Sequence, residues 1–179
     1  MFTSSKRVVA VAVKNEAGDA EDDGEKAGEL GATCIQPLMC ERSVLRLHGE
    51  RAQKKRAHWQ AVAASASEQC GRTSVTLIEP VRSIKEWLTS LSKKAESDAQ
   101  RWLLSPSSKE AWHADAAKPA SSLLFLSGPE GGLSAEEETL AQQQGFMPVS
   151  LGPRVLRADT APLAVLAALA LSNHGAEQR

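Results

Sequence analysis

Long apolar runs, paired cysteines and an excess of positive charge are all scarce in this 179-residue chain. The most apolar stretch, "APLAVLAALALS" near the C-terminus, is too short to cross a bilayer and reads as a buried helix, so no membrane span is expected. The N-terminal "MFTSSKRVVAVAVKNEAGDAEDDGE" lacks the apolar core of a secretory signal. Cysteine is limited to Cys34, Cys40 and Cys70, an odd number with no C-x-x-C pair, which argues against both a disulfide framework and a zinc site. A reducing compartment follows: the cytoplasm, or an organelle if the source is eukaryotic, with no metal expected. Lys and Arg number 21 against 22 Asp and Glu, for a formal net charge of -1. That balance excludes a globally basic nucleic-acid binder and leaves only a local basic face to consider. No internal repeat or heptad run appears, which removes solenoids and coiled coils.

What is present is the alternation of an α/β domain with a largely parallel sheet, and the length suits one domain over residues 1–179. Short β-branched or leucine-rich runs predict strands at Arg7–Val13, Cys34–Met39, Ser74–Glu79, Trp102–Ser105, Ser122–Ser127 and Met147–Leu151. From Glu50 to Cys70 the residues Ala52, Trp59, Ala63, Ala66 and Cys70 recur at helical spacing and share one face, with Arg51, Lys54, Lys55 and His58 on a neighbouring one. The polar stretches Lys14–Glu25 and Ser92–Gln100 read as solvated loops or frayed helix ends, and residues 1–5 and 175–179 as disordered.

Two glycine-proline loops stand out. "SSLLFLSGPEGGLSAEEETLAQQQG" is a strand, a loop over Gly128–Gly132 and a helix whose start carries a capping box, Ser134 with Glu137. The carboxyl end of a strand in an open α/β sheet is where ligands lie. The loop lacks the lysine and Ser/Thr of a phosphate-binding P-loop and the glycine spacing of a dinucleotide fingerprint. The second unit, "FMPVSLGPRVLRADTAPLAVLAALALS", repeats the plan with Gly152-Pro153, then Arg154 and Arg157, then an apolar helix. These arginines suit a phosphate or carboxylate, or a pairing with the acidic run Glu136–Glu138. Two loops ending adjacent strands would form two walls of one pocket.

"GPEGGLSAEE" followed by "LGPRVLRADTAP" resembles the paired C-terminal motifs of the RsmE-type ribosomal RNA methyltransferases. "EKAGELGATCIQPLMCERSV" and "ERAQKKRAHWQAVAASASEQCGR" are similar to upstream segments of the same family, so the resemblance runs from about Lys26 to Asn173. It implies a SPOUT fold with a C-terminal trefoil knot, S-adenosylmethionine as cofactor, and methylation of N3 of a uridine in small-subunit ribosomal RNA. It also implies a homodimer, with Thr160–Ser172 as a candidate interface. Carried over by position, the cofactor would be held by Leu126, Gly128, Glu130 and Gly131 from the first loop and Leu151, Gly152, Val155, Leu156 and Arg157 from the second. Arg154, Arg157 and Asp159 become the catalytic candidates, the arginines for charge stabilisation and Asp159 or Glu130 as the base. Arg42 and Ser43 of the E-R-S segment, with Arg51, Lys54, Lys55 and Arg72, become the RNA contacts.

The sequence departs from that family in three places. The N-terminal PUA-like barrel is expected to be absent, the helix before "KAGELG" has almost no apolar face, and Ala158-Asp159-Thr160 stands where T-E-T is usual. A non-catalytic RNA-binding or assembly module, or a methyltransferase for another RNA, are therefore the alternative functions.

Overall fold

The computed structural model describes residues 7–12, 19–43, 46–91, 99–114 and 122–174; the expected disorder at 1–5 and 175–179 and the polar stretch 92–98 lie outside these. The elements run β1 (Arg7–Ala12), α1 (Asp19–Glu29), β2 (Cys34–Met39), α2 (Gly49–Gln69), β3 (Leu77–Ile78), β4 (Arg82–Ser83), α3 (Ile84–Ser90), β5 (Gln100–Leu104), β6 (Leu123–Ser127), α4 (Ala135–Gln143), β7 (Met147–Val149) and α5 (Thr160–His174). The strands form one sheet in the order β3-β2-β1-β6-β5-β7, with β4 also beside β2. All its pairings are parallel.

A parallel sheet is covered on both faces, so its central strands are apolar throughout. All five residues of β6, LLFLS, are buried. Successive side chains point to opposite faces. Leu124 and Leu126, with Leu103 of β5, pack with Ile84, Trp87 and Leu88 of α3 and with Ala141 and Phe146 of the α4 unit. Leu123 and Phe125, with Trp102 and Leu104, pack with Val165 and Leu169 of α5. Farther along that second face, Ala27 of α1, Trp59 and Ala63 of α2, Ile35, Ile78 and Leu166 form a third cluster. The result is a three-layer domain, α3 and α4 on one side and α1, α2 and α5 on the other. Trp87 stacks obliquely on Phe146, while Trp102, Trp112 and Phe125 form an aromatic trio with centroids 5.1–5.9 Å apart. The tryptophans thus serve packing.

Several expectations are corrected. Asp19–Glu25, read as a solvated loop or a frayed helix end, forms the first part of α1: poor propensity and Gly24 are overridden because α1 packs against α2 and α5, burying Ala27. The strand expected at Ser74–Glu79 contracts to Leu77–Ile78: before it Thr76 bonds to the Ala32 carbonyl through its hydroxyl, and after it Pro80 offers no N–H to the ladder, so pairing with β2 resumes at Arg82–Ser83. The last strand stops at Val149, and Ser150 instead pairs with Ala111, so the segment after β5 runs along the outer edge of β7. Cys70 lies beyond the end of α2 and is exposed, not on its buried face.

From β7 the chain returns past the ends of β5 and β6 through residues 151–159, and α5 lies against β6 and α1. Among the described residues no helix is long and apolar enough to cross a membrane.

Candidate functional site

The first loop leaves β6 at Ser127 and is fixed by local geometry. A Cβ on Gly128 would lie 3.0 Å from the Leu133 nitrogen and 3.2 Å from the Gly132 carbonyl carbon, so only glycine fits without backbone movement. Gly132 takes φ 69° and donates its N–H to the Pro129 carbonyl at 2.8 Å, closing a turn. Immediately downstream the capping box forms as its sequence predicts: Ser134 Oγ accepts the Glu137 N–H, and Glu137 Oε2 accepts the Ser134 N–H at 2.9 Å. Glu137 is itself buried, with 1% of its surface exposed, and its other oxygen accepts the Glu41 N–H at 2.8 Å.

The second loop turns at Gly152, φ 101°, and feeds α5, whose first turn begins with the Ala161 N–H donating to the Arg157 carbonyl at 3.0 Å. Between the two loops opens a cleft of about 320 Å³, floored by the carboxyl ends of β5 and β7. Its walls are largely apolar: Leu103, Leu104, Leu133, Val149, Leu151 and Leu156, with Ala161 from α5. Four charged residues line it as well, Glu130 and Glu138 on one side and Arg154 and Arg157 on the other. Among the described residues neither of these guanidinium groups has a hydrogen-bond or ion-pair partner, and Glu136 pairs instead with Lys85 at 3.2 Å. Both arginines are exposed.

Of the residues expected to hold the cofactor, Gly128, Glu130, Leu151, Gly152, Val155, Leu156 and Arg157 line this cleft. Leu126 does not: it is fully buried in the core beneath α3 and α4. Gly131 faces Arg42 rather than the cleft. Asp159 is likewise absent from the lining; its Oδ1 accepts the N–H of the adjacent Thr160 at 2.6 Å and the Thr160 hydroxyl at 2.9 Å, at the start of α5. Sequence reasoning missed Glu138, Leu133 and Ser105 as lining residues. Glu138 stands next to Glu137 of the capping box, a cue that the first turn of α4 faces the loop it terminates.

The proposed RNA contacts separate into two groups. Arg51 and Lys54 are exposed in the first two turns of α2, Lys54 in an i,i+4 pair with Glu50 at 2.8 Å, and Lys55 lies 5.8 Å from the centre of the Trp59 ring. Three others have structural roles. Ser43 is buried and its Oγ accepts the Cys40 N–H at 3.1 Å. Arg72 Nη1 donates to the carbonyls of Gly28 and Ala32 and to Thr76 Oγ1, tying the end of α1 to the segment before β3. Arg42, although exposed, donates from Nη1 to the Gly131 carbonyl at 2.7 Å. Burial and the Glu137 carboxylate push the thiol of Cys40 up to about 12 from its ordinary 9.0, so it is neutral and inert at physiological pH. Among the described residues no cluster of metal-ligating side chains forms.

Residues 4–170 match the RNA methyltransferase domain family. The chain belongs to this family. Within it the chain is of the RsmE type and has the SPOUT-class α/β fold. It is 36% identical over 159 residues to the ribosomal RNA small subunit methyltransferase E of Bacillus subtilis, an alignment covering 81% of this chain and 58% of that protein. The Synechocystis protein of the same name is 37% identical over 143 residues, covering 78% and 45%. The chain thus spans about half the length of these relatives. Among solved structures, the Neisseria gonorrhoeae ribosomal RNA small subunit methyltransferase E, bound to S-adenosyl methionine, is similar with a TM-score of 0.80 and 34% identity over 93% of this chain and 66% of that one. A Legionella pneumophila protein in complex with the bound cofactor SAM gives a TM-score of 0.82 at 31% identity, with the same coverage.

Proposed function

We propose that this chain is an S-adenosylmethionine-dependent methyltransferase acting on N3 of a uridine in small-subunit ribosomal RNA, as a cytoplasmic homodimer. The observation that carries the reading is the convergence of both glycine loops on one cleft with apolar walls and two arginines that have no partner among the described residues. Apolar side chains suit an adenine ring, and glycine loops let backbone N–H and C=O groups approach its polar edge. The carboxylates of Glu130 and Glu138 suit the positive charge of a sulfonium or ammonium group. When bound, S-adenosylmethionine supplies an electrophilic methyl group, which the uracil nitrogen takes as the carbon–sulfur bond breaks and its electron pair returns to sulfur.

The chain's own task is alignment and charge management. Uracil N3 must lose its proton, which leaves negative charge shared with the ring oxygens. Arg157 and Arg154 face that charge from the second wall, and Glu130, which lines the cleft, takes the role of proton acceptor in place of Asp159, which does not line it. Arg51, Lys54 and Lys55 near the start of α2 anchor phosphates. Val155 on the second loop and Leu171 on α5, each 78% exposed, support a second copy packing beside the site.

A different reading, an RNA-binding module without turnover, draws on the absence of Asp159 from the cleft lining. Calorimetry with S-adenosylmethionine, followed by transfer of its labelled methyl group to small ribosomal subunits, separates them. Cofactor binding with transfer supports the enzyme; binding without transfer supports the module; no binding overturns the cofactor reading. Light scattering tests the dimer, and a monomer at micromolar concentration would reject it.

A further inference from the structure

The loop after β2 is fastened to the first glycine loop at two points. Glu137, buried in the first turn of α4, accepts the Ser134 N–H with one oxygen and the Glu41 N–H with the other, so a single carboxylate bridges two segments 96 residues apart. This fixes the backbone from which the next side chain departs. Arg42 then crosses to Gly131, donating to its carbonyl at 2.7 Å, and its aliphatic stem covers the face where a side chain would stand: a Cβ on Gly131 would lie 3.5 Å from Arg42 Cβ and 3.6 Å from Cδ. Ser43, bonded both ways to Cys40 in a closed turn, sets the other side of Arg42.

We propose that Arg42 is a positioning residue for the cofactor cleft, held in place by Glu137, and that its partner is the Gly131 carbonyl rather than a phosphate of the RNA. The inference rests on the cofactor reading above. Three glycines in a five-residue loop would allow it many conformations without contacts from outside, and the Pro129–Gly132 turn restrains only part of it. A charge-assisted bond to the Gly131 carbonyl narrows that ensemble before the ligand arrives, which reduces the ordering cost of binding. Glu137 suits its task because an ionised carboxylate accepts on both oxygens; glutamine would turn an amide donor toward one of the two N–H groups.

The test is a calorimetric titration of the full chain with S-adenosylmethionine in the absence of RNA. Arg42→Ala is expected to weaken binding about tenfold, the scale of one charge-assisted hydrogen bond, while the unfolding midpoint stays at the wild-type value because the side chain is exposed. Arg42→Lys, which keeps a charged donor, recovers part of the loss. In methyl transfer the KM for cofactor rises and the KM for RNA holds. Glu137→Gln weakens cofactor binding in the same way; should that variant fail to fold, Arg42→Ala decides alone. Cofactor affinity unchanged in Arg42→Ala, with RNA affinity reduced, would overturn the inference and return Arg42 to the RNA surface. A wild-type chain that binds no cofactor would mark the failure of the underlying reading instead.

Discussion

The two walls of the cleft are built on opposite principles. The first, Gly128–Gly132, is held by the protein itself: a glycine with no room for a Cβ, an internal turn bond, a capping box behind it and Arg42 across it. The second, residues 151–159, ends in exposed side chains, with Arg154, Val155 and Arg157 directed to no partner among the described residues. One wall is specified by folding, and the other presents groups that only a ligand can satisfy. Substitutions at the glycines and capping box of the first should therefore cost stability and cofactor affinity together, whereas truncating Arg154 or Arg157 in the second should cost activity without stability.

The sharpest test of that contrast is Arg157→Ala, expected to lower kcat by about a hundredfold or more, the scale of losing one charge-stabilising group, with no change in the thermal midpoint. Full activity in the purified variant would remove the residue from the mechanism. Gly128→Ala should do the reverse, destabilising the fold by about 2 kcal/mol because the methyl meets backbone that must shift; denaturant titration reads this, and cofactor affinity should fall with it. Ser134→Ala should cost about 1.5 kcal/mol through loss of the helix cap, measured the same way, with a smaller effect on binding.

The smallest effect concerns Cys40, which lies beside the Glu137 anchor. Its folded-state pKa, near 12, stands above the ordinary 9.0, so the folded state keeps a proton that the unfolded chain releases. The contribution is neutral below pH 9, and stability falls as pH rises from there toward 12. By pH 10 the loss relative to pH 8 is about 1 kcal/mol, and Cys40→Ala should lack that part of the alkaline decline. Alkylation at pH 8 should label exposed Cys70 and spare Cys40.

Features carried by local sequence are legible in the residues alone. β2 coincides with its predicted range, Cys34–Met39, and β6 and the Ser134–Glu137 box lie where apolar runs and capping chemistry put them. Most of the two loops expected to wall a pocket do so. The features that local sequence does not carry depend on contacts between distant segments. α1 is helical because other helices cover it, and β4 is a two-residue strand defined by its neighbour. Arg42 and Arg72 read as surface cations because sequence does not reveal which carbonyls lie within reach of a long side chain. Asp159 reads as a base because it and Glu130 are the carboxylates nearest the arginines in sequence, and sequence does not reveal which of them lines the cleft. Ser43 reads as an RNA contact, although only three residues separate it from the backbone N–H it accepts.

The most direct test of the central claim is to incubate the purified chain with labelled S-adenosylmethionine and unmodified small-subunit ribosomal RNA, then digest the RNA and identify the labelled nucleoside. The account predicts label in 3-methyluridine at a single site. No label in RNA, from a chain that binds the cofactor in the same buffer, would contradict it, and label in a different nucleoside would keep the enzyme while rejecting uracil N3 as its target.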